Sequence, residues 1–311
     1  MLFSPYSDHI VDVSDLNKLG EMKIKDVLPD SNTWVPAYLQ FGKPLLHMPK
    51  GPEMFVTILF GIGSFAVLCY AIYLWQKTKH SWPLWLFVGG IPCTFYEFFD
   101  SQTLHFMYPQ VNDIHVVTIW GFSIPLFLVL IYPFYVSFLV ILGFSFCEFK
   151  KMSGKVLWII YGCAFLGAMF FEPPALHYGL WYYQGQNQPF KIFDFPYFWF
   201  ICNPAMIVVV GPTVHYIWNT ILKRKHIWSV VFMIPYFLFA YHLAMTVPEM
   251  FAINTCTGTT MTNIMAVFSS LLGIATVYVV AAFEDHINVL RDGVAQPASV
   301  TAAKNLAVSK A

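Results

Sequence analysis

From Met54 to Phe283 the chain is a succession of long apolar runs separated by short polar intervals, and this pattern leaves few folds open. Each run is long enough to cross about 30 Å of bilayer hydrocarbon at roughly 1.5 Å per helical residue. We read seven spans: Met54–Trp75, Trp82 to about Asp100, His115 to about Phe144, Lys155–Glu172, Pro196–Leu222, Ile227–Pro248 and Thr260–Phe283. The third is long enough to need a tilt or a kink, for which Pro125 and Pro133 are candidates. Composition agrees: of 311 residues, 58% are hydrophobic and 11% charged, where a soluble domain carries roughly 25% charged residues. The expected fold is an all-α membrane protein, a seven-transmembrane-helix bundle over residues 53–284. A polar segment, 1–52, precedes it, and a polar tail, 285–311, follows.

The basic residues set an expected orientation. Lys77 and Lys79 join spans one and two; Lys150, Lys151 and Lys155 join three and four; Lys223, Arg224 and Lys225 join five and six; Arg291 follows seven. The alternate loops are nearly free of them, Lys191 being the exception between spans four and five. Basic loops stay in the cytoplasm, so the C-terminus is expected there and the N-terminus outside. Lys43 and Lys50 in the first segment argue the other way and are outvoted. That segment has no apolar h-region and does not read as a cleavable signal peptide. Trp34, Tyr38, Phe41 and Leu45-Leu46 suit an amphipathic element lying on the membrane, and a plain polar tail suits them equally. A formal net charge of zero gives no reason to expect nucleic-acid binding. The six cysteines show no CxxC spacing and read as buried thiols, with Cys202 and Cys256 the one pair that could meet. The reading is of a multi-pass integral membrane protein; it does not choose between endoplasmic reticulum and plasma membrane.

Ionisable residues within apolar runs are costly and mark functional sites by default. Here they gather at one end of the spans: Glu97, Asp100 and His105 close span two, Asp113 and His115 open span three, and Glu172 and His177 close span four. Asn203 lies early in span five, His242 and Glu249 close span six, and Thr260, Thr262 and Asn263 open span seven. Glu97 and Asp100, three apart, share a helical face, and so do His242 and Glu249, seven apart. Aromatic residues crowd the same depth: Phe95, Tyr96, Phe98, Phe99, Trp120, Phe170, Phe171, Trp181, Tyr182 and Trp199. Ordinary lipid-facing belts account for some of them. The functional reading is one polar cavity whose ring faces hold a cationic centre.

The densest stretch runs from Phe171 to Tyr183, where a carboxyl, a proline pair, an imidazole and an aromatic cluster follow an apolar run. Desolvation disfavours a carboxylate in such surroundings, and a neutral carboxyl is a Brønsted acid for an alkene or epoxide. Aromatic walls would shield the resulting carbocation from water.

The pattern Glu172-Pro173, Gly179, Trp181, Tyr183, Gly185, Pro196 and Asn203 resembles the integral membrane carotenoid-biosynthesis family that includes the bacterial carotenoid 1,2-hydratases. In that family an acidic-Pro pair ends a transmembrane segment, a Gly-x-Trp-x-aromatic element follows, and a Pro and an Asn open the next helix. This chain has Glu172 where the family has Asp, and an extra proline, Pro174. Glu97 in span two is similar to an acid of the fungal and bacterial integral membrane terpene cyclases, seven-helix proteins that use two acidic residues. The resemblance implies a membrane enzyme that acts on an isoprenoid or similar apolar lipid by protonating an alkene or epoxide, with no metal and no cofactor. Cyclase, hydratase and isomerase outcomes all fit that class. Glu97 or Glu172 would be the acid, and the other, with Asp100, would tune it or take the final proton. Tyr96, Trp181 and Tyr182 would stabilise positive charge, Asn203 would orient a carboxyl or a water, and His242 and Glu249 would complete the substrate site.

Two other classes stay open. Glu97, Asp100, His105, His177 and His242 could supply zinc ligands, as in seven-helix lipid amidases of the alkaline ceramidase kind. Those enzymes carry a His-x-x-x-His pair in the last span, and Thr260–Phe283 contains no His. A seven-helix lipid-binding protein or receptor without catalysis is the other; span seven has no lysine for a retinal Schiff base.

Overall fold

A computed structural model describes residues 47–109, 114–119, 122–183, 188–255 and 258–295. Residues 1–46, Asp113, Trp120, Gly185, Cys256 and the tail from 296 lie outside the described residues.

The architecture is all-α, with six helical segments among the described residues long and apolar enough to cross a membrane. Helix α1 is Lys50–Thr78. Helix α2, Trp82–Gly90, runs through a 3-10 turn, Ile91–Phe95, into α3, Tyr96–Thr103. Strand β1 is Phe106–Met107, and β2, His115–Ile119, pairs antiparallel with β3, Phe122–Pro125. Helix α4, Leu126–Ile131, continues through a π-helical turn, Tyr132–Val136, into α5, Ser137–Glu148. Then come α6, Gly154–His177, and three short strands: β4, Tyr182–Tyr183, β5, Lys191–Ile192, and β6, Phe195–Pro196. Helix α7 is Tyr197–Tyr216 with a π-helical turn to Ile221, α8 is Val230–Asn254, and α9 is Thr259–Ala295.

Several boundaries differ from the sequence expectation, each for a local reason. The third span starts at Leu126 rather than His115. Val116, Val117, Thr118 and Ile119 form a β-branched run that favours a strand, and Pro125 sits extended, just ahead of the helix (ψ 154°). The fourth runs on through Pro173 and Pro174 to His177, so the proline pair does not break it. Pro248 likewise lies inside α8, and α9 passes Phe283 and continues to Ala295. The second span is helical from Trp82 to Thr103 in three pieces, with Pro92 in the 3-10 turn between them.

Helix α7 is the hub. It packs against α5, α6, α8 and α9, and 78% of its most apolar stretch is buried, against 28–56% in the other five long helices. The α5–α7 crossing is close because glycines meet there. A Cβ on Gly211 would lie 2.6 Å from the Val140 carbonyl oxygen and 2.9 Å from the Phe144 nitrogen. Small residues at such crossings let backbones approach, which packs helices in lipid where no hydrophobic force separates them from the solvent. Gly211→Val is therefore expected to cost about 1–3 kcal/mol through overpacking. On α6 a Cβ at Gly162 meets nothing within 4 Å, so Gly162→Ala should be neutral or stabilising by about 0.5–1 kcal/mol. Thermal unfolding of both variants in one detergent checks the pair.

The two ends of the bundle differ chemically. At one end Glu148 accepts from Arg224 and lies 3.2 Å from His215 Nε2, while Asp285 Oδ1 caps the Gly154 nitrogen at 2.8 Å and Asn288 donates to the Met152 carbonyl at 2.7 Å. Trp82 stacks on Phe144 at the same end, with ring centroids 4.7 Å apart, so the three basic loops and the start of α2 lie together. The opposite end carries the β-strands and most of the polar residues singled out above.

Candidate functional site

The polar end encloses a cavity of about 90 Å³, on a scale where one water needs about 10–15 Å³. Four elements supply most of its wall. Helix α3 supplies Tyr96, Glu97 and Asp100; α4 and its π turn supply Phe127, Leu128, Ile131, Tyr132 and Tyr135; α7 supplies Trp199, Asn203, Met206 and Ile207; and the roof supplies Phe106, Tyr108, Trp181 and Tyr183. Helix α6 contributes Glu172 alone, and α8 contributes Leu238 alone.

The π turn aims the tyrosines. Pro133 has no N–H to give to an α-helical ladder, and the widened turn at Tyr132–Val136 sets both Tyr132 and Tyr135 on the cavity. Ser64 of α1 donates to the Leu130 carbonyl at 2.5 Å, which ties the distorted stretch to its neighbour. Tyr132 Oη donates to Glu97 Oε1 at 2.6 Å, and Tyr108 Oη donates to Glu97 Oε2 at 3.2 Å. Both oxygens of Glu97 are thus held by phenols. Among the described residues Glu172 is held by a single hydrogen bond, at the long limit: Asn203 Nδ2 donates to its Oε1 at 3.5 Å. Asp100, 2% exposed, has Oδ1 3.1 Å from Nε2 of His242, which is fully buried. The distance is that of an ion pair, but the two atoms lack the alignment of a hydrogen bond. The His242 ring is boxed edge-on by Tyr96 at 4.8 Å, Trp199 at 5.3 Å and Phe99 at 6.2 Å.

Strands β1 and β4 form the roof, pairing Phe106 with Tyr183 and Met107 with Tyr182. The pairing brings Tyr108 to 6.0 Å from the Trp181 ring and Phe106 to 5.7 Å from Tyr183. Burial, and then the nearby Glu97 and Glu172 charges, hold the Tyr108 phenol well above its usual range, so it stays a donor. Burial and the charges of Glu172, Asp100 and Glu97 do the same for Tyr183. His105 anchors the roof, with Nε2 3.0 Å from Asn254 Oδ1, and Asn254 in turn donates to the Thr103 carbonyl at 2.9 Å. Burial pushes His105 down to about 4, against the hydrogen bond it donates to Asn254 Oδ1, which acts the other way. Unfolded, this imidazole titrates near ~6.5. Its contribution is therefore intact above that value and is lost as pH falls from there toward the folded value. Acidification from about pH 7 to about pH 5 should destabilise the protein by about 2 kcal/mol, and His105→Gln should remove that part of the pH dependence in thermal unfolding.

Of the residues expected from sequence, Tyr96, Glu97, Asp100, Trp181 and Asn203 meet Glu172 on one cavity. Three substrate-binding assignments do not. Tyr182 alternates to the other face of its strand from Tyr183 and donates to the Gly179 carbonyl at 3.1 Å. His242 lies behind Asp100 and Tyr96 rather than on the cavity. Glu249 is fully buried nearer Tyr197 and Cys202, and neither carboxyl oxygen has a hydrogen-bond partner among the described residues. Phe95 and Phe170 are 61% and 78% exposed and face outward. Tyr108, Tyr132 and Tyr135, which the sequence did not single out, also line the cavity, as does Tyr183, which the motif above contains without a role in the site. The proline after Tyr132 was a signal for local distortion, but not for the direction in which the tyrosines would point.

Among the described residues no group of three His, Cys, Asp or Glu is placed to hold a metal ion. Of the residues considered as zinc ligands, His177 is exposed and His105 is bonded to Asn254. Compared with known protein families, curated proteins and solved structures, the chain finds no match.

Proposed function

We propose that the protein is an integral membrane enzyme that protonates an alkene or epoxide of an isoprenoid or similar apolar lipid, leading to cyclisation, isomerisation or hydration. The observation that carries this reading is that Glu97 and Glu172, from separate helices, face one aromatic-walled cavity. The two carboxyls differ in a way that divides the work. Glu97 has both oxygens occupied by phenol donors and is built to stay an anion opposite a carbocation. Glu172 spends one oxygen on Asn203 and keeps the other for a transferable proton, which makes it the acid. Tyr96, Trp181 and Trp199 offer ring faces to developing positive charge. Asp100, backed by His242, accepts the proton that ends the reaction. The resemblance to membrane carotenoid hydratases and terpene cyclases points to the same chemical class.

In this reading Trp82–Thr103 is a seventh span, the basic loops face the cytoplasm, and the cavity lies in the outer half with the N-terminus outside. Accessibility of single-cysteine labels in sealed vesicles tests the orientation: a label in the Lys223–Lys225 loop should react from the side opposite one in the first segment. Product analysis after incubation of the protein in lipid nanodiscs with linear polyprenyl alkenes and their terminal epoxides tests the chemistry. Conversion is expected from at least one of them. Saturable binding with no conversion of any would replace the enzyme with a lipid-binding protein.

A further inference from the structure

We infer that the cavity opens sideways into the bilayer, between α6 and the π turn of α4–α5, and that the polyprenyl chain of the ligand is admitted there. The inference rests on the reading above that the ligand is a long apolar lipid. A volume of about 90 Å³ holds the reacting end of such a molecule, so the rest of the chain must leave the cavity somewhere. Among the described residues the roof is covered by the β1–β4 pairing, and Gln188 Nε2 donates to the Leu104 carbonyl across it at 2.9 Å. Toward the basic end the way is blocked by the Gly143–Gly211 crossing and the Trp82–Phe144 stack.

The α6 side is built differently. Helix α6 packs its backbone on α7 and α9, and makes no packing of comparable extent on α1, α4 or α5 among the described residues. It is joined to the π turn and α1 by side chains. Tyr135 Oη donates to the Ala164 carbonyl at 3.4 Å, and the Phe171 ring lies 5.0 Å from Phe60. Ala164, Ala168 and Glu172 follow one another at intervals of four and form a stripe down the inner face of α6. Two of the three are methyl groups, so only short side chains stand on this face of α6 beside Tyr135. Ile131, Tyr135, Glu172 and Asn203, which meet along this side, all keep accessible surface. The outer face of α6 turns Leu166 and Phe170 outward, 52% and 78% exposed, as lipid-facing residues do. A single layer of side chains therefore separates Glu172 from hydrocarbon.

The test uses the full chain in nanodiscs and geranylgeraniol carrying a diazirine at its ω end. Photolabelling is mapped by mass spectrometry in the wild type, in Ala168→Phe, which fills the stripe, and in Phe171→Ala, which widens it. Labels are expected on Tyr135, Ala164, Ala168 and Phe171. Ala168→Phe should lower that labelling by about tenfold, equivalent to ~1.4 kcal/mol of lost binding, and Phe171→Ala should preserve or raise it. Thermal unfolding confirms that each variant is folded, and if Ala168→Phe does not fold, the label map and Phe171→Ala decide. Labels confined to the roof, or an unaltered yield in folded Ala168→Phe, would overturn the lateral route while leaving the lipid reading in place. Absence of saturable labelling anywhere on the cavity would overturn both.

Discussion

Glu172→Gln is expected to lower turnover by a factor on the order of 10²–10⁴, the usual cost of losing a general acid, while lipid binding changes by less than about threefold. The amide keeps the shape of the side chain, and its oxygen can still accept from Asn203 Nδ2, 3.5 Å from Oε1 in the native site. What it loses is the transferable proton. The change should appear in kcat with KM nearly constant, because the interaction removed is one that matters in the transition state. Tyr132→Phe gives a contrasting result. It takes away the 2.6 Å donor to Glu97, so it weakens the anion that faces the carbocation without touching the acid. A preorganised donor of this kind is worth about 2.7–4 kcal/mol at most when aimed directly at the reacting charge, and Tyr132 acts one residue removed. A Glu172→Gln enzyme with full kcat on an identified substrate would exclude Glu172 as the acid.

His242→Leu is the second change with a large expected effect. His242 is fully buried, its Nε2 is 3.1 Å from Asp100 Oδ1, and Asp100 is itself 2% exposed. Leucine fills much of the ring's place among Tyr96, Phe99 and Trp199 but offers the carboxyl no polar partner. His242 lies beside the carboxyl without the alignment of a hydrogen bond, so its loss leaves Asp100 with no polar neighbour on that side of a low-dielectric site, at a cost of about 1–3 kcal/mol. Asp100→Asn, made alone and in the His242→Leu background, completes the set of variants. A double-mutant cycle on chemical unfolding measures the coupling directly, and an interaction energy below about 0.5 kcal/mol would mean that the two groups are neighbours without being partners.

How far the site could be read in advance depended on whether a residue's position followed from helical period alone. Glu97 and Asp100 were placed on one face by their spacing, and they share one wall of the cavity. Glu172 was singled out by its cost at membrane depth, and it faces the same cavity from another helix. Glu249 met the same criterion and is buried elsewhere, because depth says nothing about which side of a helix faces which neighbour. Tyr132 and Tyr135 depend on a π-helical turn that shifts the register after Pro133, a backbone event that apolar periodicity does not record. Tyr108 and Tyr183 reach the cavity through the strand pairing of two loops about 75 residues apart in sequence. The alternation along β4 explains Tyr182 as well: its neighbour Tyr183 took the inward position, so Tyr182 could not. The long apolar helices were plain from composition, whereas their ends were not. Prolines inside α6 and α8 read as stops in isolation, and tertiary packing carries both helices past them.

If this cavity delivers a proton to an apolar lipid, isotope transfer from solvent reports it. Wild-type protein in nanodiscs is incubated in D₂O with linear polyprenyl alkenes and, separately, with their terminal epoxides, and the products are resolved by mass spectrometry. The expected result is conversion of at least one substrate, with deuterium on carbon where an alkene is protonated, and loss of conversion in Glu172→Gln. An epoxide opened by the same acid would carry its deuterium on oxygen, where it washes out, and the ring-opened product would report the reaction instead. Recovery of every alkene and epoxide unchanged, from protein that binds them saturably, would contradict the account.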